Sequence, residues 1–196
     1  MLVFSDIDGT AAWLSPAVAK KIKSVFGHDI HGDIHVYGPD NHNIPGATPC
    51  EVQIIQSFFW EPSTYAMATP VEGAAEALRE IAERGWLGGY LTRRKAETNA
   101  VTAYWLGKYG FPYAPIYNAL PGAASKSSAI PHQVFADGGQ VVVVDDTASE
   151  VALLAGELPG HGFAILLGEG AEPPKGVTAL PSWQRILEHL LGAEGR

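Results

Sequence analysis

Cysteine is nearly absent from this 196-residue sequence, in which Cys50 stands alone. A single thiol excludes a disulfide framework within one chain, and it excludes the multi-cysteine zinc sites of small metal-binding domains. No stretch approaches the roughly 18 consecutive apolar residues of a membrane span. The N-terminus also lacks the charged and then apolar segments of a secretory leader. We therefore expect a cytoplasmic protein with no membrane partner.

Positive charge is also scarce. Lys and Arg number 13 against 21 Asp and Glu, so the formal net charge is −8. A protein that coats a nucleic-acid backbone needs clustered Lys and Arg, and this balance therefore predicts that no nucleic-acid polymer is a partner. A small anionic ligand in a local positive pocket remains compatible with it. Hydrophobic residues make up 46% of the chain, which is typical of a globular protein.

Short apolar runs alternate with helix-like segments along the chain. Runs of this length and composition indicate strands that are buried on both faces. They occupy residues 1–5, 86–92, 114–120, 140–146 and 162–168. Amphipathic periodicity predicts helices over residues 71–85, 96–110, 148–158 and 182–192, the last capped by Ser182 and ended by Gly192. The alternation predicts an α/β fold with a Rossmann-like, doubly wound parallel sheet.

Residues 14–69 interrupt this alternation. Segment 15–27 predicts a helix with Ser15 at its N-cap, and segment 49–60 predicts another. The loop between them is rich in Gly, Pro, Asn and Asp, so we expect an irregular segment or a short hairpin. Its histidines fit no standard metal site and indicate a polar loop. The predicted domains are a core of residues 1–13 and 70–196 and a mainly helical cap of residues 14–69.

Polar residues of complementary chemistry follow four of the predicted strands. Because ligands bind beyond the carboxyl ends of parallel strands, we expect these residues to converge on one edge of the sheet. They are Asp6 and Asp8 after the first strand, Thr92, Arg93 and Arg94 after the second, Lys126 after the third, and Asp145 and Asp146 after the fourth. Carboxylates from different strands suit Mg²⁺. With a hydroxyl and an ammonium group, that cation would neutralise a phosphoryl group during its transfer.

The same residues resemble the haloacid dehalogenase superfamily of phosphohydrolases. The resemblance consists of an apolar strand before Asp6-x-Asp8-Gly9-Thr10, a strand ending in Thr92, a separate Lys126, and a strand ending in Asp145-Asp146, in the family's order. It implies that Asp6 is the nucleophile of an aspartyl-phosphate mechanism and that Asp8 is the general acid and base. It also implies that Thr92 and Lys126 bind the phosphoryl group. Arg93, which follows Thr92 directly, is a further candidate for phosphate binding.

The resemblance also implies a Mg²⁺ site. Asp6, the backbone carbonyl of Asp8, and Asp146 are the expected ligands, while Asp145 holds metal-bound water or Lys126. In this superfamily an Asp two residues after the nucleophile marks phosphoryl transfer, and dehalogenases lack it. Asp8 therefore argues against carbon–halogen cleavage.

The insert resembles the small helical cap of the 5'(3')-deoxyribonucleotidases, which implies a nucleoside monophosphate as substrate. Three consecutive aromatic residues, Phe58, Phe59 and Trp60, with Trp13, either pack the cap onto itself or form an aromatic wall for a nucleobase. Other small phosphorylated metabolites stay open as substrates, namely a sugar phosphate or phosphoglycolate, as does a nucleic-acid end. A non-catalytic phosphate-binding module is the alternative of another class. The adjacent Arg93 and Arg94 either bind a second anionic group or form salt bridges, and no pattern indicates an oligomeric state.

Overall fold

The elements of the fold are known from a computed structural model that describes residues 1–34, 36–38, 41–136, 138–158, 162–168 and 173–194. The strands are β1 (Leu2–Asp6), β2 (Ala12–Trp13), β3 (Val36–Gly38), β4 (Asn41–His42), β5 (Thr69–Pro70), β6 (Leu87–Thr92), β7 (Ile116–Asn118), β8 (Val141–Asp145), β9 (Phe163–Leu167) and β10 (Val177–Leu180). The helices are α1 (Ser15–Phe26), α2 (Pro49–Phe58), α3 (Pro62–Met67), α4 (Ala74–Glu83), α5 (Asn99–Lys108), α6 (His132–Ala136), α7 (Ala148–Glu157) and α8 (Trp183–Glu194), with 3₁₀ turns at Ala96–Thr98 and Lys126–Ala129.

The main sheet has the strand order β10-β9-β8-β1-β6-β7, and its strands are parallel. Neighbouring residues of the central strand β1 point to opposite faces, as the pleat requires. Val3 packs in an apolar cluster with α4, α5 and α8, whereas Phe4 packs in a second cluster with α7. Both faces of the sheet are therefore covered by helices, which confirms the predicted doubly wound α/β fold.

The predicted strands and helices are present, but the structure differs from the prediction at several points. Strand β10 was not predicted, because it is a four-residue edge strand whose residues are all only half-buried. Helix α8 continues through Gly192 to Glu194, so the predicted end at Gly192 is wrong. Ser15 lies inside α1, with Leu14 at the N-cap, and its hydroxyl accepts a hydrogen bond from the backbone N–H of Ile34 at 3.0 Å. None of the described helices is long and apolar enough to cross a membrane.

The insert has its own apolar cluster. Helices α1 and α2, predicted over 15–27 and 49–60, pack around it, and the β3–β4 hairpin lies in the loop between them. The buried members of the cluster are Val18, Ile22, Ile34, Ile44, Ile55 and Phe58. His35, one of the loop histidines, lies outside the described residues. At the base of the insert, β2 and β5 pair antiparallel, so the chain enters and leaves side by side.

Helix α3, which was not predicted, packs on the sheet domain. Its Tyr65 is buried in the same cluster as Val3 and Trp105 of α5. The indole Nε1 of Trp105 donates a hydrogen bond to the carbonyl oxygen of Ala68 at 2.9 Å. The last turn of the insert is therefore fastened to the helix that follows β6, close to the carboxyl edge of the sheet.

Candidate active site

Asp6 and Lys126 form the centre of the site. Asp6 is the last residue of β1 and is 2% exposed, while Lys126 lies in the 3₁₀ turn after β7 and is 6% exposed. The ammonium Nζ lies 2.6 Å from Oδ1 of Asp6 and 2.7 Å from Oδ2 of Asp145. Burial by itself would lower the pKa of Lys126, but the two carboxylates raise it. A permanently charged ammonium group therefore bridges the ends of two neighbouring strands.

The carboxylates of Asp6, Asp145 and Asp146 form an acidic cluster, in which one oxygen of each lies within 4.8 Å of the others. Burial raises the pKa of Asp6 well above its ordinary range, against the opposing effect of Lys126. Burial and the neighbouring Asp145 raise the pKa of Asp146 to about 6. The hydroxyl of Thr10 donates to Asp146 at 3.2 Å and lies 3.5 Å from Asp6. The cluster thus carries more negative charge than Lys126 neutralises.

Gly9 lets the chain turn away from the cluster. Its φ is +88°, a conformation that residues with a side chain rarely adopt. A Cβ atom at this position would lie 2.0 Å from Oδ2 of Asp146. The absence of a side chain at Gly9 therefore leaves the space that the Asp146 carboxylate occupies.

Asp8 lies apart from the acidic cluster and is held by Arg94. The guanidinium Nη2 donates to Oδ1 of Asp8 at 2.5 Å, and Nε lies 3.1 Å from Oδ1 and 3.0 Å from Oδ2. The Arg94 side chain is fully buried, whereas the Asp8 side chain is 31% exposed. Thr92, the last residue of β6, is buried, and its hydroxyl accepts a hydrogen bond from the backbone N–H of Arg94 at 3.1 Å. The second of the two adjacent arginines thus forms a salt bridge.

Arg93 is turned toward a different acid, Glu150 of α7. Its Nη2 donates to Oε2 of Glu150 at 2.6 Å, and the guanidinium also donates to the carbonyl oxygens of Ala123 and Ala124, each at 3.0 Å. The other oxygen of Glu150 accepts from the backbone N–H of Lys126 at 2.6 Å. The Arg93 guanidinium therefore holds the segment that carries Lys126, and the predicted phosphate contact by Arg93 stays a prediction.

Glu150 was missed in the sequence. It is 5% exposed and lies on the buried face of α7 together with Val151 and Leu154. A carboxylate on the inner face of an amphipathic helix is unusual unless it is paired. In the sequence, a charged residue at a position of the helix that periodicity predicts to be buried could have indicated that Glu150 is paired.

A cleft between the insert and the sheet edge leads to Asp8. It comprises two adjoining cavities of about 630 and 670 Å³, and Asp8, Leu14, Ile34 and Phe59 line both. Trp60 lines the first cavity, and Trp13, whose indole N–H donates to Asp33, lines the second.

Of the four aromatic residues predicted to contact substrate, Phe58 is the one that does not line the cleft. It is 7% exposed, and its ring stacks on Phe26 at 6.3 Å within the cap cluster. Its neighbour Phe59 lines both cavities, because one residue along the last turn of a helix turns the side chain by about 100°.

Comparison with known proteins identifies the fold. No protein-family model matches the chain, and no curated protein is significantly similar to it in sequence. Among solved structures, it is similar to a haloacid dehalogenase-like hydrolase from Streptococcus pneumoniae, with a TM-score of 0.60 and 17% identity over 96% of this chain and 97% of that one. It is also similar to a HAD family hydrolase from Deinococcus radiodurans R1 with bound phosphate and sodium, with a TM-score of 0.62 and 17% identity over 98% and 96% of the two chains.

A third similar structure is the L-2-haloacid dehalogenase from Xanthobacter autotrophicus, with a TM-score of 0.59 and 13% identity over 98% of this chain and 99% of that one. Each of these similarities spans nearly the whole length of both compared chains. The fold is that of the haloacid dehalogenase-like hydrolases. Phosphatases and dehalogenases both have this fold, so the reaction must be argued from the side chains at the site.

Within this haloacid dehalogenase-like fold, the donors fit a Mg²⁺ ion. The cluster offers only carboxylate oxygens from Asp6, Asp145 and Asp146, the hard ligands that Mg²⁺ prefers, and the described residues place no cysteine or histidine among them. The close approach of Gly9 to Asp146 also leaves the backbone before β2 near the cluster. A divalent cation would neutralise the excess of negative charge that this cluster carries.

Proposed function

We propose that this protein is a Mg²⁺-dependent phosphomonoester hydrolase that works through an aspartyl-phosphate on Asp6. The observation that carries the proposal is the pairing of Asp6 with Lys126 at the end of β1, beside the acidic cluster. A carboxylate that is buried against a fixed ammonium group is oriented for attack and lies beside the charge that the phosphoryl oxygens need. Bound Mg²⁺ would supply further positive charge to the phosphoryl group.

The chain's own residues can carry both half-reactions. In the first, an oxygen of Asp6 bonds to phosphorus while the bond to the leaving oxygen breaks, and Asp8 gives a proton to that oxygen. In the second, Asp8 takes a proton from water, the water oxygen bonds to phosphorus, and the Asp6 carboxylate is released with inorganic phosphate. Thr92 and Lys126 bind the phosphoryl oxygens in both.

The substrate class that we favour is a nucleoside monophosphate. Each of the two cavities beside Asp8, of about 630 and 670 Å³, has room for a nucleoside, and Phe59, Trp60 and Trp13 offer flat aromatic surfaces for a base. Base–aromatic stacking contributes about 1–3 kcal/mol per base. A smaller substrate such as phosphoglycolate or a sugar phosphate would leave most of these surfaces without a partner.

Phosphate release from p-nitrophenyl phosphate in the presence of Mg²⁺ tests the reaction. We expect activity that EDTA removes and that Asp6→Asn abolishes, and activity surviving Asp6→Asn would sink the covalent mechanism. Protein that binds fluoroberyllate but releases no phosphate from any ester would support the non-catalytic binding module instead. L-2-Chloropropionate is the matched test for dehalogenation, and we expect no chloride release.

A panel of nucleoside monophosphates, glucose 6-phosphate and phosphoglycolate tests the substrate class. We expect at least one nucleotide to have the highest kcat/KM. If phosphoglycolate or the sugar phosphate exceeded every nucleotide, the phosphatase would stand and the nucleotidase assignment would fall.

A further inference from the structure

Arg94 is the residue from which a further role follows. We propose that Arg94 is a positioning residue that fixes the carboxylate of Asp8 and leaves its Oδ2 as the oxygen that carries the proton. This inference rests on the proposed phosphomonoesterase function, in which Asp8 is the acid and base.

Arg94 cannot reach a substrate itself. Its side chain is 0% exposed, whereas the Asp8 side chain that it contacts is 31% exposed and lines both cavities of the cleft. The positive charge of Arg94 therefore acts on the Asp8 carboxylate, and any effect of Arg94 on the reaction is transmitted through that carboxylate.

The guanidinium is itself held on its other sides. Its Nη1 donates to the hydroxyl of Thr102 on α5 at 3.0 Å, and its plane lies over the ring of Tyr65 on α3, 3.9 Å from the centroid. The backbone carbonyl of Arg94 accepts a hydrogen bond from Asn118 at 2.9 Å. These neighbours hold the Arg94 guanidinium in one orientation. The carboxylate of Asp8, which is hydrogen-bonded to it, is thereby fixed as well.

The two oxygens of Asp8 are treated unequally. Oδ1 receives Nη2 at 2.5 Å and Nε at 3.1 Å, whereas Oδ2 receives only the shared Nε at 3.0 Å. Because a protonated carboxyl loses acceptor capacity on the oxygen that holds the proton, the less occupied Oδ2 is the oxygen that can be protonated without breaking the pair. Arg94 thus selects the oxygen as well as the direction of proton transfer.

Dependence on the leaving group tests the inference. An aryl phosphate with a good leaving group, p-nitrophenyl phosphate, needs little protonation, whereas an alkyl phosphate such as a nucleoside monophosphate needs the acid. Arg94→Lys keeps the positive charge but loses the planar guanidinium, which donates to the carboxylate through two nitrogen atoms. Because general acid catalysis contributes typically 10²–10⁴-fold, we expect Arg94→Lys to lower kcat/KM for the alkyl ester by about 100-fold and for the aryl ester by less than about tenfold. The value of kcat/KM excludes the later step, in which Asp8 acts as a base on both substrates.

Thr102 offers a milder change that spares the ion pair. Thr102→Val removes the hydroxyl that anchors Nη1, and Thr102→Ser retains it. We expect Thr102→Val to shift the alkyl-to-aryl ratio in the same direction as Arg94→Lys and Thr102→Ser to leave it near that of the unaltered protein. This pair keeps the test decisive if Arg94→Lys does not fold.

A double-mutant cycle separates action through Asp8 from any other route. In an Asp8→Asn background the alkyl-to-aryl ratio has already changed, and adding Arg94→Lys should change it no further. A further change would overturn the inference, as would an equal loss on both substrates in Arg94→Lys or in Thr102→Val. If the unaltered protein released no phosphate from either ester, the proposed function would fall and this inference with it.

Discussion

Oδ2 of Asp146 lies 2.0 Å from the place where a Cβ atom on Gly9 would stand. No alanine fits there unless the acidic cluster opens. Gly27, with φ of +78°, shares the left-handed conformation of Gly9 but has open space around its missing side chain. Substitutions at Gly9 and Gly27 can therefore distinguish the effect of backbone strain from the effect of the close contact between position 9 and Asp146.

We expect Gly9→Ala to destabilise the protein by more than Gly27→Ala, which measures the strain alone at about 1 kcal/mol. Gly9→Ala should also weaken Mg²⁺ binding because Asp146 must move, whereas Gly27→Ala should not. Urea denaturation and calorimetric Mg²⁺ titration measure the two effects. Equal affinity for Mg²⁺ in both variants would contradict the placement of Asp146 in the metal site.

Asp8 and Asp6 should differ in their effect on stability. Asp8→Ala leaves the fully buried Arg94 without its carboxylate, so we expect a loss of about 3 kcal/mol in the free energy of unfolding, as when one partner of a buried pair is removed. Asp6→Asn removes a carboxylate whose ionisation the fold already opposes, and it should be neutral or stabilising. Urea denaturation of the metal-free protein measures both. A loss well below this in Asp8→Ala would show that Arg94 does not depend on Asp8, and a comparable loss in Asp6→Asn would contradict the expectation for Asp6.

Stability should fall with rising pH in the metal-free protein. Burial and Asp145 raise the pKa of Asp146 to about 6 from an ordinary value near 3.8. Between these values the folded chain holds a proton that the unfolded chain has lost, so stability decreases as the pH rises from about 4 to about 6. Asp6, whose pKa is also raised, acts in the same direction.

The melting temperature at pH 5 and at pH 7 measures this effect. Asp146→Asn should make the decrease smaller, and Mg²⁺ should raise the melting temperature more at pH 7 than at pH 5 because it competes with protons for the cluster. If the melting temperature of Asp146→Asn depended on pH as in the unaltered protein, groups other than Asp146 would cause the decrease.

Glu150 should support Lys126 from α7. Glu150→Ala leaves the buried backbone N–H of Lys126 without its acceptor, at a cost of about 1–3 kcal/mol in stability, and it frees Arg93 from the same segment. We expect kcat to fall because Lys126 is no longer held against Asp6. Glu157, an exposed residue of the same helix that contacts the Ser127 hydroxyl, is the matched control. If Glu157→Ala lowered kcat equally, the effect would belong to the helix rather than to Glu150.

Phe58 and Phe59 should separate folding from substrate binding. Phe58→Ala empties a position in the cap cluster, and we expect a loss of about 3–5 kcal/mol in stability, with KM unchanged where the protein folds. Phe59→Ala should raise KM for a nucleotide and leave KM for p-nitrophenyl phosphate nearly unchanged. Thermal melting and steady-state kinetics on the two substrates measure the contrast. If Phe58→Ala raised KM for the nucleotide and Phe59→Ala did not, Phe58 rather than Phe59 would contact the substrate.

Most of the sheet could be predicted because strands buried on both faces must be apolar throughout. Val141 to Val144 are such a run, and together with Asp145 they form β8. Strand β10 lies at the edge and is half-buried, so it has no such constraint on its sequence. Helices α3 and α6, of six and five residues, are too short for periodicity to identify them and depend on tertiary contacts.

The convergence of Asp6, Lys126 and Asp145 could be predicted because parallel topology brings the carboxyl ends of neighbouring strands together. The partners of the two arginines could not. Adjacent residues after a strand point in opposite directions, so Arg93 and Arg94 reach Glu150 and Asp8 respectively, and which arginine takes which side depends on the register of β6. Such contacts depend on side-chain reach across the fold, which no local pattern encodes.

The antiparallel pair of β2 and β5 sets Ala12 opposite Pro70. A segment that leaves and re-enters a scaffold at adjacent positions can change in length or sequence without moving the scaffold. Under the proposed function, the residues that would break the phosphate ester and those that would select the substrate can therefore vary separately in sequence. Helix α3 limits this freedom, because its Tyr65 stacks on Arg94. Exchange of the insert for another segment should succeed up to Pro62 and disturb the chemistry beyond it.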